Sequence, residues 1–363
     1  ESSFAKIGGT SFTERNLISN NGGRGIAIWN TGVSNNTVVG NYVGLDMSGA
    51  NVRGNLLEGI LMAGETHDNR IGGSGSGERN VVAGSGWDGI SMWNSSNNLV
   101  SGNYVGTDAS GSLAFGNNYG VLIADGSSNN IVGGIAAGSG NLVSGNRVFG
   151  LYLGGTATKN NVIAGNFIGL TKDGSAALGN GNAGVVLDAG ANLTRIGGTS
   201  ALERNVISGN GKHGIAIWND GPQDSRITNN NTVIGNYIGL DASGSKAIGN
   251  QANGISFERM ANNNRVGGTT PAERNVIAAS LWDGIGFWGT GAVSNTVTGN
   301  YIGTNASGTS PIPNNGAGVA LVSGAQYNRL GGSSSGEGNL ISGNTDGGVV
   351  LIGATTSNNT ISG

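Results

Sequence analysis

Cysteine is absent from this 363-residue chain, and proline occurs only four times. Without thiols there is no disulfide scaffold, no thiol catalysis and no cysteine-ligated metal. Charge is scarce as well: 18 basic and 21 acidic side chains leave a net charge of −3. With no basic cluster, nucleic acid is not expected as a partner. No apolar run approaches the ~20 residues of a membrane span, and the opening Glu1-Ser2-Ser3 does not read as a signal peptide. Strong helix formers are few. The chain is rich instead in glycine, with 72 residues of it. Collagen is excluded because glycine keeps no third-residue period and proline is scarce. Disorder is excluded by Ile, Val and Leu recurring every few residues.

The glycines keep time. A glycine followed by alternating apolar residues recurs at Gly25, Gly59, Gly89, Gly120, Gly150 and Gly184, then at Gly214, Gly254, Gly284, Gly318 and Gly348. The mean unit is about 32 residues, and units alternate in type, giving a double repeat of about 64. Each unit holds three short strand-like stretches, which in the first are Gly25–Trp29, Asn36–Val39 and Tyr42–Leu45. Asn-Asn, Gly-Asn and Asp-x-Ser-Gly phrases separate them, and Asn and Gly turn the chain at little strain. Strands this short cannot bury a face alone, but like strands stacked unit on unit bury one continuous core. The expected fold is all-β: a right-handed parallel β-helix solenoid of about 11 coils, three short strands to a coil. Ile26, Ile28, Val38 and Val43 are then inward, Ala27 and Trp29 outward. A β-propeller, with antiparallel blades of about 40 to 50 residues, is the weaker alternative.

The runs Asn205–Asn210 and Asn231–Asn236, with Asn264–Gly268 and Glu273–Ile277, resemble the repeats of right-handed parallel β-helix proteins of the pectate-lyase-like superfamily. The resemblance covers nearly the whole chain, and the regular repeats are most similar to those of bacterial surface proteins. What it implies is the fold. The superfamily includes polysaccharide lyases, glycoside hydrolases, epimerases, tailspikes and non-catalytic surface proteins, so activity has to come from the residues. No composition shift divides residues 1–363, which are expected to be a single β-helix domain within a larger secreted or cell-surface protein.

In a stacked solenoid, a residue type repeated at one coil position becomes a column. Trp29, Trp93, Trp218 and Trp288 each lie four residues after the leading glycine, in alternate coils and on the outward phase, while Trp87 and Trp282 lie just before the same strand. Two coils apart means ~9.6 Å, comparable to a disaccharide step, and flat indoles stack on sugar faces or else lie over the neighbouring coil. Tyr42, Tyr104, Phe167, Tyr237 and Tyr301 form a second column, read as corner packing. Asn41, Asn103, Asn166, Asn236 and Asn300 mark the same corner and are read as stacked amides. Asp46, Asp108 and Asp241 read as side chains bonding their own turns. Glu14-Arg15, Glu78-Arg79, Glu203-Arg204 and Glu273-Arg274 read as exposed ion pairs along a ridge. No ligand spacing marks a metal, and no cofactor is expected.

Catalysis requires carboxylates that break their column. Asp188 and Glu258 occupy the Trp position in coils six and eight, with Trp218 between them and His213 just before that coil's strand. Their ~9.6 Å separation is at the upper edge for an inverting acid/base pair. An insertion at Asp220–Arg226 adjoins them, and Glu58 with Asp88 forms a weaker second pair. The leading expectation is an extracellular scaffold that binds an extended, neutral polysaccharide along its Trp-bearing face. The alternatives are a glycoside hydrolase (less readily a lyase or epimerase) using Asp188, Glu258 and His213, or a purely structural fibre segment. Lateral association into a homo-oligomer is open to such a rod.

Overall fold

The computed structural model describes residues 3–219 and 226–363; Glu1, Ser2 and Asp220 to Ser225 lie outside the described residues, and with them most of the expected insertion. Each unit opens with a strand of alternating character. In Ile26–Trp29, Ile26 and Ile28 are buried and Ala27 and Trp29 exposed. Like strands pair in parallel and in register from unit to unit, Ile26 beside Ile60, Ile60 beside Ile90, and so on to Val319 beside Val349. Three sheets result, numbered here by the order of strands in a unit. The first contains Ile26–Trp29 and has 11 strands, the second contains Thr37–Val39 and has 12, and the third contains Tyr42–Val43 and has 11. This is a parallel β-helix, as the repeat predicts. A short extra sheet joins Thr228–Asn229, Ala261–Asn262 and Ala292–Val293.

The inward rows of all three sheets fuse into one apolar core running from Ile26 to Leu330. Phe257 and Phe287 stack within it, ring centroids 4.7 Å apart. The leading glycine is there for close approach: a Cβ on Gly184 would lie 2.7 Å from Ile207 Cγ2 and 2.8 Å from the carbonyl oxygen of Gly214.

The corners are held by amides. Asn141 Nδ2 donates to Asn166 Oδ1, Asn166 to Asn205 and Asn205 to Asn236, each at 2.9 Å. The Asn column expected from sequence is therefore every second rung of a continuous ladder. Each amide also serves the backbone; Asn166 Nδ2 donates to the Val132 carbonyl at 2.9 Å, and its Oδ1 accepts the Asn141 backbone N–H. A second ladder climbs through Asn36, Asn69, Asn98, Asn130 and Asn161. A third links Asn117, Asn146, Asn180, Asn210 and Asn250. Ser85 and Ser280 stand on rungs of this third ladder, where their buried hydroxyls have no hydrogen-bond partner among the described residues.

Two loop types alternate between the corners. In one, Asp108 Oδ1 accepts the backbone N–H of Ser112 and Leu113, and Oδ2 accepts the Ser110 hydroxyl. The acidic column thus bonds its own turns, and hydroxyl donors hold Asp46 and Asp173 down at about 2. These loops also stack two coils apart: Ala109 N–H donates to the Gly49 carbonyl at 2.9 Å, and Ala306 to Gly244 at 2.9 Å. In the other loop type the expected Glu-Arg neighbours do not pair. A one-turn 3-10 helix turns each Glu back to its own N-cap and to the Arg eight residues upstream, giving Glu78–Arg70 at 2.7 Å, Glu203–Arg195 at 2.8 Å and Glu273–Arg265 at 2.9 Å. The adjacent Arg79, Arg204 and Arg274 lie instead over the rings of Tyr104, Tyr237 and Tyr301, 4.0 to 4.2 Å from the centroids. The tyrosine column is structural, with a cation over each of these rings.

Asn166→Ala strands two donors and a carbonyl in the interior and is expected to lower the unfolding free energy by about 3 kcal/mol. The shift in urea midpoint measures it; a loss below about 1 kcal/mol contradicts the ladder's role.

Candidate functional site

The outer face of the first sheet carries three rows, one before the strand glycine and two on the strand's outward phase. The register of the last row runs Trp29, Ala63, Trp93, Ala124, Gly154, Asp188. Further on, Glu258 lies beside Trp288 and Trp288 beside Val322. Large rings thus alternate with small or different side chains. The middle row is mostly small and, unlike Ala27, buried: Ser91, Ala216, Ser256 and Ala320 are all covered. What covers them in part is the rings. Trp218 packs with Phe149 and Tyr152 against Ala183, Val186 and Ala216, and Trp288 packs against Ala317, Ala320 and Val322. Gly286 seats the second indole, since a Cβ there would lie 2.4 Å from Trp288 Nε1. Both indoles stay half-buried, one side on the sheet and the rest toward solvent.

Between Trp218 and Trp282 the face opens into a cleft of about 560 Å³, lined also by Phe149, Asn182, Lys212, His213, Asn219, Gln251, Ala252, Glu258 and Arg259. Its polar centre is His213, whose Nε2 is 3.8 Å from Glu258 Oε1. Burial, with some help from Lys212, pushes the imidazole down to about 4. At pH 7 it is therefore neutral, and the contact with Glu258 is not an ion pair. The indole of Trp218 meets the imidazole edge-on, centroids 5.9 Å apart, and His213 Nδ1 has no hydrogen-bond partner among the described residues. Glu258 is held by the Ser256 hydroxyl, which donates to Oε1 at 2.8 Å. A neutral base, a half-exposed carboxylate and a lysine around one cavity can hold a sugar hydroxyl or move a proton.

A second cleft of about 380 Å³ follows along the same face, lined by Leu281, Trp282, Asp283, Trp288, Asn315, Gly316 and Asp346. Trp282, 54% exposed, belongs to both. Of the residues singled out in sequence, His213, Glu258, Trp218 and Trp282 come together, and Trp288 lies next door. Asp188 does not line either cleft. It is buried, accepting the Tyr152 hydroxyl at 2.8 Å and the Ala189 N–H at 2.6 Å. Trp29 and Trp87 are exposed and Trp93 half-buried further up the same face. Sequence reasoning passed over Lys212, Asn182, Gln251 and Arg259; their signal was adjacency to a column, Lys212 to His213 and Arg259 to Glu258.

Glu58 and Asp88, the weaker carboxylate pair, are both buried next to each other in the row before the glycines. Arg24 Nε approaches Glu58 Oε2 at 2.9 Å, in contact but without hydrogen-bond alignment, and its guanidinium lies over Trp29. Burial pushes Asp88 up to about 6, opposed by the Ser91 hydroxyl and assisted by the charge of Glu58.

No protein-family model matches the chain, and a search of curated proteins finds no match. Among solved structures, the A-module of the Azotobacter vinelandii mannuronan C-5 epimerase AlgE4 aligns with 99% of this chain and 90% of its own, at 12% identity and a TM-score of 0.47. The Dettilon tailspike protein aligns with 93% of this chain and 61% of its own, at 14% identity and a TM-score of 0.46. A variant of the periplasmic alginate epimerase AlgG aligns with 91% and 69%, at 15% identity and a TM-score of 0.44. These likenesses concern the fold alone. The chain is a parallel β-helix protein by its own sheet order.

Two titrations follow, with opposite signs. His213 binds its proton less readily folded than unfolded, so its contribution to stability is complete above about 6.5 and lost as pH falls toward 4. In NMR its ring signals are expected to titrate near 4, and a midpoint at or above 6 contradicts the burial. Asp88 binds its proton more readily folded, so its penalty grows as pH rises from 3.8 through about 6. Asp88→Asn is expected to be more stable than the parent at pH 8 by about 2 to 3 kcal/mol and equal to it near pH 4, by urea midpoint. A gap that does not change with pH contradicts this assignment.

Proposed function

We propose that this protein binds an extended polysaccharide along the outer face of the first sheet, with Trp218, Trp282 and Trp288 as stacking platforms. The observation that carries the reading is Trp282 standing exposed between two consecutive clefts, with a half-covered indole on either side of it. An indole with one side seated on protein keeps the other for the apolar face of a sugar, at little further cost in side-chain entropy. Low charge along the row suits neutral sugars. Binding of such polymers fits a secreted or surface setting.

A second reading is favoured by one feature, the neutral His213 beside Glu258. It makes the cleft an acid/base centre acting on the bound glycan. The pair for that chemistry is His213 with Glu258, because Asp188 faces Tyr152 and not the cleft.

Affinity electrophoresis against neutral and acidic polysaccharides, with reducing-end and unsaturated-product assays on the same mixtures, tests both. Trp218→Ala and Trp282→Ala are each expected to weaken binding by about 10- to 100-fold. Absence of binding to every polymer, or binding unchanged in both variants, overturns the first reading. Product formed by the parent and lost in Glu258→Gln establishes the second.

A further inference from the structure

The chain repeats itself on a longer scale than the double coil. Residues 14–29 and 203–218 are identical at 12 of 16 positions, and residues 78–93 and 273–288 at 11 of 16. Stretches only two coils apart agree less: 14–29 matches 78–93 at seven positions, and 203–218 matches 273–288 at eight. Six coils are therefore the unit that was copied. By that copying Trp29, Trp87 and Trp93 correspond to Trp218, Trp282 and Trp288, the three platforms of the binding face. The structure keeps the correspondence. Trp87 is 53% exposed and Trp282 54%, while Trp93 and Trp288 are both half-buried on the same sheet. Ser85 and Ser280, whose buried hydroxyls interrupt the third ladder, correspond as well.

Rings join the two copies. Asn118 N–H donates to the Trp87 carbonyl at 2.7 Å, which sets Tyr119 one coil on and one residue along. Tyr119, Phe149 and Tyr152 pack together with ring centroids 5.1 to 5.9 Å apart, and all three are half-buried. Phe149 in turn lines the larger cleft with Trp218. These rings break the six-coil rule, because Ala317, Gly347 and Val350 stand at the matching places in the later copy. The coil closes there without aromatics, so the fold does not require them at the junction.

We propose that the first sheet carries one continuous glycan track, from Trp87 over Tyr119 and Phe149 to Trp282, and that a single extended polysaccharide chain engages both ends. The inference rests on the polysaccharide reading above and extends it to the earlier coils. Matching indoles are six coil steps or ~29 Å apart, three of the ~9.6 Å steps of the double coil. A chain held at one end meets the other at high effective concentration, so affinity rises once the chain is long enough to reach it. The ends differ in their polar centre. Arg24 stands at the place of His213 and Ala63 at that of Glu258. Arg24 is itself occupied, in contact with Glu58 and over the ring of Trp29. The earlier end therefore holds sugar without the imidazole and carboxylate of the later one.

Affinity electrophoresis through hydroxyethylcellulose, galactomannan, dextran and alginate compares the parent with Trp87→Ala and Trp282→Ala. Trp87→Ala is expected to weaken retardation about 10-fold, and circular dichroism verifies that it remains folded. Oligosaccharides cut from the retarding polymer then compete with it. Their strength is expected to rise about 10-fold or more once they span ~29 Å, and Trp87→Ala is expected to abolish that rise while shorter competitors act as before. Retardation weakened by Trp282→Ala but unchanged in Trp87→Ala overturns the track and leaves the reading of the cleft standing. Competition without a rise, or a rise that survives in Trp87→Ala, overturns the track too. A parent retarded by none of the four polymers overturns the polysaccharide reading and the track with it.

Discussion

Buried corners set the terms for this molecule. A chain that turns three times per coil brings backbone groups into its interior at every turn, out of reach of water and of the sheets. Stacked asparagine amides answer that demand, each using both its oxygen and its nitrogen on the rungs beside it and on nearby carbonyls. Because a rung is useful only with another above and below it, the corner spacing has to hold from coil to coil. Most variation falls in the stretches between corners, where the straps, the Asp turns and the aromatic rows are found, although Ser85, Thr194 and Ser280 replace the asparagine on three rungs.

Much of this was legible in sequence because the repeat averages over many copies. The period, the inward Ile and Val, the parallel stacking and the role of Asp46 and Asp108 all follow from glycine spacing and strand alternation. What escaped is what depends on side-chain direction. Glu78-Arg79 reads as a pair because the two are adjacent, yet the 3-10 turn sends one back to Arg70 and the other onto Tyr104. Asp188 and Glu258 share a column, but Tyr152 turns Asp188 away into the protein while Glu258 remains at the cleft. The middle outward row reads as solvent-facing by alternation, yet at Val186, Ala216 and Ala320 it is buried, with large rings packed against these residues.

The first and second sheets depart from the repeat in different ways. On the first, departures are polar and aromatic and run from Tyr119 to Trp282. On the second, Leu99, Ile131 and Val162 are aliphatic where basic residues and threonine alternate in the other coils. Both departures lie on outward rows, at different angles about the axis of the rod. Neither needs a change in the core, since inward and outward rows are set independently by strand alternation.

The loops that bond two coils apart have a consequence for how such a molecule can change in length. Ala109 reaches Gly49 and Ala306 reaches Gly244 by skipping the coil between, so deleting or inserting a single coil would set an Asp turn against a strap and leave both families without their mates. Growth by duplication therefore comes in couples of coils, about 9.6 Å of rod at a time, and every platform on the surface is carried along at that same stride.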